Sequence, residues 1–365
     1  MTMRFCTTCL AMTAREAETC DRPGCRGALR PEALLGSVLD GRFRIDSVIA
    51  LGGMGVLLRG RHLRLESPVA IKVLQLAGLD GAMAAEVLKR FRQEATLIAR
   101  LRHPGIVAVL DYGAAPDGRP YIAMEFLEGR DLEGELREHG LLSPPRLAHV
   151  VSTVAGVLDW THAHGVIHRD IKPANVMVAR LGGEEAIKVL DFGVARLVEA
   201  ATGTPAERTM IVGTAEYMAP EQIDGQASAI GPATDVYALA VTTYQLAAGE
   251  TPFRARDFAG VVGRKMTMRF PGLAERRPEA GWAAVDVVLR RALAVSPADR
   301  TASATAFARE LVQALAGVAA PRASEPPSAP AGGAVRSPGG ARAGGRTVID
   351  TGRRARGGLP GRGRT

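Results

Sequence analysis

Aromatic side chains are scarce in this chain: nine Phe, five Tyr and two Trp make up 4% of its 365 residues. Leu, Val, Ile and Ala must do most of the packing, and a surface that reads nucleic acid through aromatic rings has little to be built from. Long hydrophobic runs are missing as well. No segment of about 18 apolar residues runs uninterrupted, and the best candidate, Trp282 to Val295, carries Asp286, Arg290 and Arg291. The chain does not open with a basic stretch followed by an apolar run of about 7–15 residues, so a secretory signal is not expected. These absences predict a cytoplasmic protein with no membrane partner. Lysine is missing from the end of the chain. From Ala316 to Thr365 there are nine Arg, no Lys and two acids, a net of +7 out of +8, which leaves +1 for the first 315 residues. A nearly neutral body argues against nucleic acid as a partner.

Cysteine is limited to four residues in the first 25, spaced Cys6-x2-Cys9, ten residues, then Cys20-x4-Cys25. Four thiolates can close a tetrahedral zinc shell, and a segment too short for its own core gains folding energy from the metal. The Pro23-Gly24 turn suits a knuckle. The wider second gap and the short spacer depart from the common two-pair ribbons, so a redox role and incidental cysteines are the alternatives. Disulfides are disfavoured in a reducing cytoplasm. The reading is a zinc-ribbon-like segment over 1–30 with a structural Zn2+ on Cys6, Cys9, Cys20 and Cys25, followed by a linker over 31–40.

The chemistry centres on His168-Arg169-Asp170-Ile171-Lys172-Pro173-Ala174-Asn175, which follows Val166-Ile167 and precedes the alternating Val176-Met177-Val178. That pattern is a loop between two short strands. Phosphoryl transfer needs a carboxylate to accept the hydroxyl proton, a cation for the phosphoryl charge and a metal ligand. Asp170, Lys172 and Asn175 supply them. The octet resembles the catalytic loop of protein kinases, and Lys172 resembles the serine/threonine branch.

The resemblance extends over about residues 41–315 and implies an α+β, two-lobed kinase fold. Its small lobe, 41–127, is expected to hold a five-stranded antiparallel sheet plus one helix, and its larger lobe, 128–318, to be mainly helical. Phe43 to Val48 alternates like a strand and leads into Ala50-Leu51-Gly52-Gly53-Met54-Gly55, similar to the kinase phosphate loop with Ala50 in place of its first glycine. Leu57 stands where valine usually covers adenine, and Leu58 where an aromatic is usual. Within Pro68 to Leu74, the resemblance puts Ala70 against the nucleotide and Lys72 on its phosphates. It pairs Lys72 with Glu94 on a helix expected from Ala84 to Leu101. Ile106 to Asp111 and Pro120 to Glu125 read as a hairpin turning through Pro116-Asp117-Gly118. By resemblance, Glu125, Phe126 and Leu127 are the adenine hinge, Met124 the gatekeeper, Asp131 a ribose ligand and Met177 the pocket floor.

In the larger lobe Ser143-Pro144-Pro145 opens a long buried helix whose histidines, His149, His162 and His164, read as packing or capping residues, as does His103 earlier in the chain. Asp191-Phe192-Gly193 follows a strand, and Asp191 with Asn175 is expected to hold Mg2+, or Mn2+ in its stead, on ATP. Residues 194–221 resemble the activation segment. Thr214 is implied to bond the catalytic aspartate, Glu221 to pair with Arg300, and Asp235 to bond the catalytic-loop backbone. Thr202, Thr204 and Thr209 are expected autophosphorylation sites, Thr209 foremost, reached in trans within a homodimer. Residues 319–365 are too poor in apolar residues to fold. There Arg346-Thr347-Val348-Ile349-Asp350 resembles motifs read by forkhead-associated domains.

Taken together, the chain is identified as a bacterial-type serine/threonine protein kinase acting on protein substrates. The alternative is an ATP-binding pseudokinase scaffold that presents the cysteine segment and basic tail to partners, supported mainly by Ala50.

Overall fold

The first elements are three short antiparallel strands in the order β2-β1-β3: β1 (Arg4–Cys6), β2 (Met12–Thr13) and β3 (Leu29–Pro31). This is the ribbon that carries the cysteines. The computed structural model describes residues 4–13, 18–20, 22, 25, 27–52, 55–75, 81–192, 215–225, 227–277 and 279–318, with the backbone alone at 52, 82–84, 86–87, 90, 93–94 and 227. The expected sites Gly53, Met54, Thr202, Thr204, Thr209 and Thr214, the side chain of Glu94, and the tail with Thr347 lie outside the described residues.

A second antiparallel sheet follows, in the order β4-β5-β6-β7-β9-β8. Its strands are β4 (Val38–Leu39), β5 (Phe43–Gly52), β6 (Gly55–His62), β7 (Pro68–Leu74), β8 (Val109–Ala114) and β9 (Pro120–Glu125). Strand alternation gives the sheet two different faces. Val69, Ile71 and Val73 join Phe43, Ile45, Leu58 and Tyr121 in one cluster, whereas Leu74 packs in another with Phe91, Ala95 and Ile98 of α1 (Gly81–Arg100). Ala70 and Lys72 share the face of Leu74, the face toward the cleft.

Two expectations change here. The sheet holds six strands rather than five, because Val38 pairs with Arg44 and Leu39 with Phe43 along the edge of β5. The segment 31–40 is not a free linker. Leu34 and Leu39 are buried in the cluster on the sheet's outer face, and the buried carboxylate of Glu32 takes the Arg119 guanidinium at 2.5 Å. The outer face of a sheet rich in Val, Ile and Phe has to be covered, and this segment with the ribbon covers it.

The β8–β9 hairpin also starts later than the pattern suggested. Ile106 bridges to Val189, and the Val107 amide donates to the Val189 carbonyl at 3.1 Å, so this stretch binds the larger lobe and β8 begins at Val109.

The larger lobe opens with β10 (Gly129–Asp131) and α2 (Leu132–His139), then α3 (Pro144–Ala163). Leu147, Val150, Val151, Val154 and Leu158 bury α3 on more than one side, as its all-round apolar pattern requires. Ser143 flanks α3, but its side chain makes no capping hydrogen bond, and Pro144 and Pro145 fill the first turn. β11 (Val176–Leu181) and β12 (Glu184–Val189) pair with β10 in a small sheet, order β10-β11-β12. Helices α4 (Pro220–Ile223), α5 (Pro232–Ala248), α6 (Phe258–Met266), α7 (Leu273–Arg276), α8 (Trp282–Ala292) and α9 (Ala304–Leu315) complete the lobe. Among the described residues, no helix is long and apolar enough to cross a membrane.

Candidate active site

The loop from His168 to Asn175 runs between α3 and β11, and Asp235 at the start of α5 shapes it from below. The Asp235 carboxylate is fully buried and accepts the amides of His168 at 2.8 Å and Arg169 at 2.7 Å. His162 Nε2 lies 2.7 Å from the same carboxylate. Arg169 has φ +68°, a left-handed conformation that costs a residue with a Cβ roughly 1 kcal/mol. The two amide bonds to Asp235 hold that conformation in place. His168 is buried, with Nδ1 accepting the Asp170 amide at 3.2 Å and Nε2 donating to the Leu190 carbonyl at 2.8 Å. Burial lowers its pKa, so the ring stays neutral.

Asp170 is 4% exposed. Its Oδ2 accepts Lys172 Nζ at 2.8 Å and Asn175 Nδ2 at 2.9 Å, while Asn175 Nδ2 also donates to the Asp170 carbonyl at 2.7 Å. Oδ1 is buried with no hydrogen-bond partner among the described residues. An oriented carboxylate with one spare oxygen is equipped to accept a hydroxyl proton.

Across the cleft, Lys72 Nζ on β7 lies 2.8 Å from Asp191 Oδ2, just past β12. Burial alone would raise the Asp191 pKa. The ammonium of Lys72, by charge and by hydrogen bond, together with further nearby charge such as Lys172, reverses this and holds the carboxyl below its usual range. The donor set, an ionised Asp191 and the Asn175 amide whose nitrogen already serves Asp170, fits a hard divalent cation. Glu94 lies on α1 by its backbone, with its side chain outside the described residues. Gly55 ends the phosphate-loop hairpin opposite Gly52, and a Cβ there would lie 2.0 Å from the Val73 carbonyl oxygen, so only glycine fits.

Deeper in the cleft Leu127 clusters with Val107 and Ala179, and Met124, Met177 and Leu190 pack against them. Ala70 is buried on β7 and Leu57 sits opposite Lys72 on β6, while Ala50 and Leu51 are exposed. Asp131 caps α2, its Oδ1 accepting the Gly134 amide at 2.6 Å. Glu125 Oε1 accepts Lys188 Nζ at 2.6 Å and the Ala108 amide at 2.8 Å, which joins β9 to β12.

Below the loop, an open groove is lined by Glu133, Lys172, Glu216, Tyr217, Thr251 and Arg254. Its wall, residues 216–218, is anchored by buried Lys265, whose Nζ donates to the Glu216 carbonyl at 2.7 Å and the Met218 carbonyl at 2.8 Å. Glu221 and Arg300 form a buried bidentate pair at 2.8 and 2.7 Å, and Thr234 Oγ1 adds a bond to Glu221 at 2.8 Å. Sequence reading missed Lys265, Lys188 and the contact of His162 with Asp235. Nothing in Arg264-Lys265 marks which cation turns inward, and the partners of Lys188 and His162 lie 63 and 73 residues away.

At the ribbon the four sulfurs lie within 4.8 Å of one another, with Cys6–Cys25 at 3.6 Å and Cys9–Cys20 at 3.7 Å. A tetrahedral shell with Zn–S of about 2.3 Å puts sulfurs about 3.8 Å apart, so the arrangement fits such an ion. The amides of Cys9 and Thr8 point at Cys6 Sγ from 3.5 and 3.4 Å and hold its thiol down at about 6.

The chain matches the protein kinase domain family over residues 43–312. Serine/threonine-protein kinase pkn3 of Myxococcus xanthus is 39% identical over 281 residues, 76% of this chain and 50% of that protein. Serine/threonine-protein kinase PknB of Mycobacterium tuberculosis is 35% identical over 297 residues, 80% of this chain and 45% of that protein. The chain thus spans about half the length of the curated relatives it matches. The crystal structure of the Mycobacterium tuberculosis PknI kinase domain superposes with a TM-score of 0.60 at 32% identity, covering 77% of this chain and 98% of that one. The two-lobed architecture, the residues gathered at the cleft and these likenesses lead to one conclusion: the chain belongs to the protein kinase family.

Proposed function

We propose that this chain transfers the γ-phosphoryl group of ATP to serine and threonine hydroxyls of proteins. The carrying observation is the Asp170 carboxylate, held by Lys172 and Asn175 through one oxygen and with no partner among the described residues at the other. The acceptor hydroxyl gives its proton to Asp170 as its oxygen attacks the γ-phosphorus, and the bond to the ADP oxygen breaks. Lys172 balances the charge that builds on the phosphoryl oxygens, and Lys72 orients the α- and β-phosphates. Asn175 and Asp191 would hold magnesium, or manganese, which supplies charge neutralisation on the phosphates when bound. Leu57, Ala70, Leu127 and Met177 enclose the adenine, with backbone bonds from the hinge around Glu125.

Complete catalytic groups weigh against the pseudokinase scaffold. Autophosphorylation at Thr209, Thr204 or Thr202 sets activity, and the four cysteines hold a structural zinc. Proteins are the substrates, the cytoplasm is the setting, and a forkhead-associated domain is the partner proposed for Thr347. The test is phosphoamino-acid mapping of a generic acceptor protein incubated with the chain and Mg-ATP. Phosphoserine and phosphothreonine are expected, and phosphotyrosine alone would contradict the assignment.

A further inference from the structure

The two residues that flank the Cys6–Cys9 knuckle both pack toward the kinase sheet, Phe5 buried and Leu10 half-buried. Phe5, directly before Cys6, is 3% exposed and belongs to the same apolar cluster as Leu34, Phe43, Leu58, Val69, Ile71 and Val73. Leu10, directly after Cys9, packs against that cluster too. Leu10 also has φ +56°, and its amide donates to the Cys6 carbonyl at 2.9 Å to close the knuckle. A left-handed turn of this kind suits glycine, and a leucine there is strained. Packing of its half-buried side chain against the kinase sheet offsets the strain, so the conformation of the sulfur-bearing turn and the packing of the sheet depend on each other.

The other side of the ribbon is equally tight. A Cβ on Gly27 would lie 2.5 Å from Cys6 Sγ and 2.4 Å from Thr8 Oγ1, so the returning strand runs against the thiol with no slack. From β3 the chain passes to Glu32 and its Arg119 partner in the β8–β9 turn, then to Leu34 and Leu39 under the sheet. Strands β6 and β7 present Leu58, Val69, Ile71 and Val73 to this cluster, and the alternate positions Leu57, Ala70 and Lys72 to the cleft. A shift of these strands on the outer face is a shift of the nucleotide-facing residues on the inner one.

We infer that the Cys6/Cys9/Cys20/Cys25 centre, loaded with a tetrahedral divalent metal, is a structural part of the kinase small lobe, and that metal loading governs sheet stability and nucleotide affinity through Phe5 and Leu10. This rests on the zinc reading above. It makes the ribbon a metal-dependent brace for the sheet that carries Lys72, a role separate from partner docking.

The experiment uses the full chain, with zinc per chain measured first. Metal is then stripped with a thiol-reactive mercurial and a chelator, thiols are restored with a reductant, and magnesium is returned before each reading. Thermal midpoint and ATP affinity are read for loaded, stripped and zinc-reloaded protein. One zinc per chain, a midpoint lowered by about 5 °C or more on stripping, ATP binding weakened several-fold and recovery on reloading are expected. Leu10→Gly relieves the strained turn and removes the packing, so it should keep its zinc, start with a lower midpoint and show a smaller shift on stripping. Phe5→Leu, a milder change that preserves the fold, should fall between this variant and the parent. Zinc that can be removed with no change in midpoint or ATP affinity would overturn the brace and leave the zinc reading intact. A reduced chain that holds no metal even when zinc is supplied would overturn both.

Discussion

Lys72 Nζ lies 2.8 Å from Asp191 Oδ2, joining the central strand of the small lobe to the larger lobe across the cleft. The ammonium holds the Asp191 carboxyl below its usual range against the desolvation that pushes it up, which prepares the carboxylate for a cation. Lys72→Met should therefore act twice, removing a phosphate ligand and raising the Asp191 pKa. Phosphoryl transfer is expected to fall by about 10²–10³-fold, measured as initial rate on an acceptor protein, with the thermal midpoint changed little.

The Glu221–Arg300 pair carries a different kind of consequence. Arg300 also donates to the carbonyls of Ala294, Val295 and Ala233, and both charges are buried. Removing one partner leaves an uncompensated charge, so Arg300→Met should cost about 3–5 kcal/mol in denaturant unfolding. Glu221→Gln combined with Arg300→Met should recover part of that loss.

Stability should decline on mild acidification through His168. Its folded pKa is lowered by burial, so below the unfolded value of about 6.5 the unfolded chain takes up a proton that the folded chain refuses. The contribution is fully present above about pH 6.5 and is lost as pH falls toward the folded value, at up to about 1.4 kcal/mol per pH unit. Unfolding curves between pH 8 and pH 5 should show this slope, and His168→Gln should flatten it.

The segment 31–40 offers a direct check of the small-lobe boundary. A chain that starts at residue 41 uncovers the sheet face now closed by Leu34 and Leu39 and strands Arg119 without Glu32. Its thermal midpoint should lie at least about 5 °C below that of a chain starting at residue 31.

What could be read in advance was what is local. Pro68 to Leu74 forms a strand within seven residues, and the octet from His168 to Asn175 keeps its chemistry within eight, so both announce themselves. Partners distant in sequence do not. Whether Lys72 meets Asp191, and which acid receives Lys188, depends on how the lobes are set together. The stretch Leu34-Leu35-Gly36-Ser37-Val38-Leu39 has no single period and reads as a linker, yet the sheet's outer face needs those leucines. Cysteine spacing likewise located four thiols without showing that Phe5 and Leu10 beside them belong to the kinase core.

The central claim is tested most directly by the intact mass of the purified chain after incubation with Mg-ATP, beside an Asp170→Asn variant. Added phosphates on the parent chain that are absent from the variant, mapping to Thr209, Thr204 or Thr202, are the predicted result. Equal incorporation in both, or none in either despite measured ATP binding and a generic acceptor in the same tube, would contradict it.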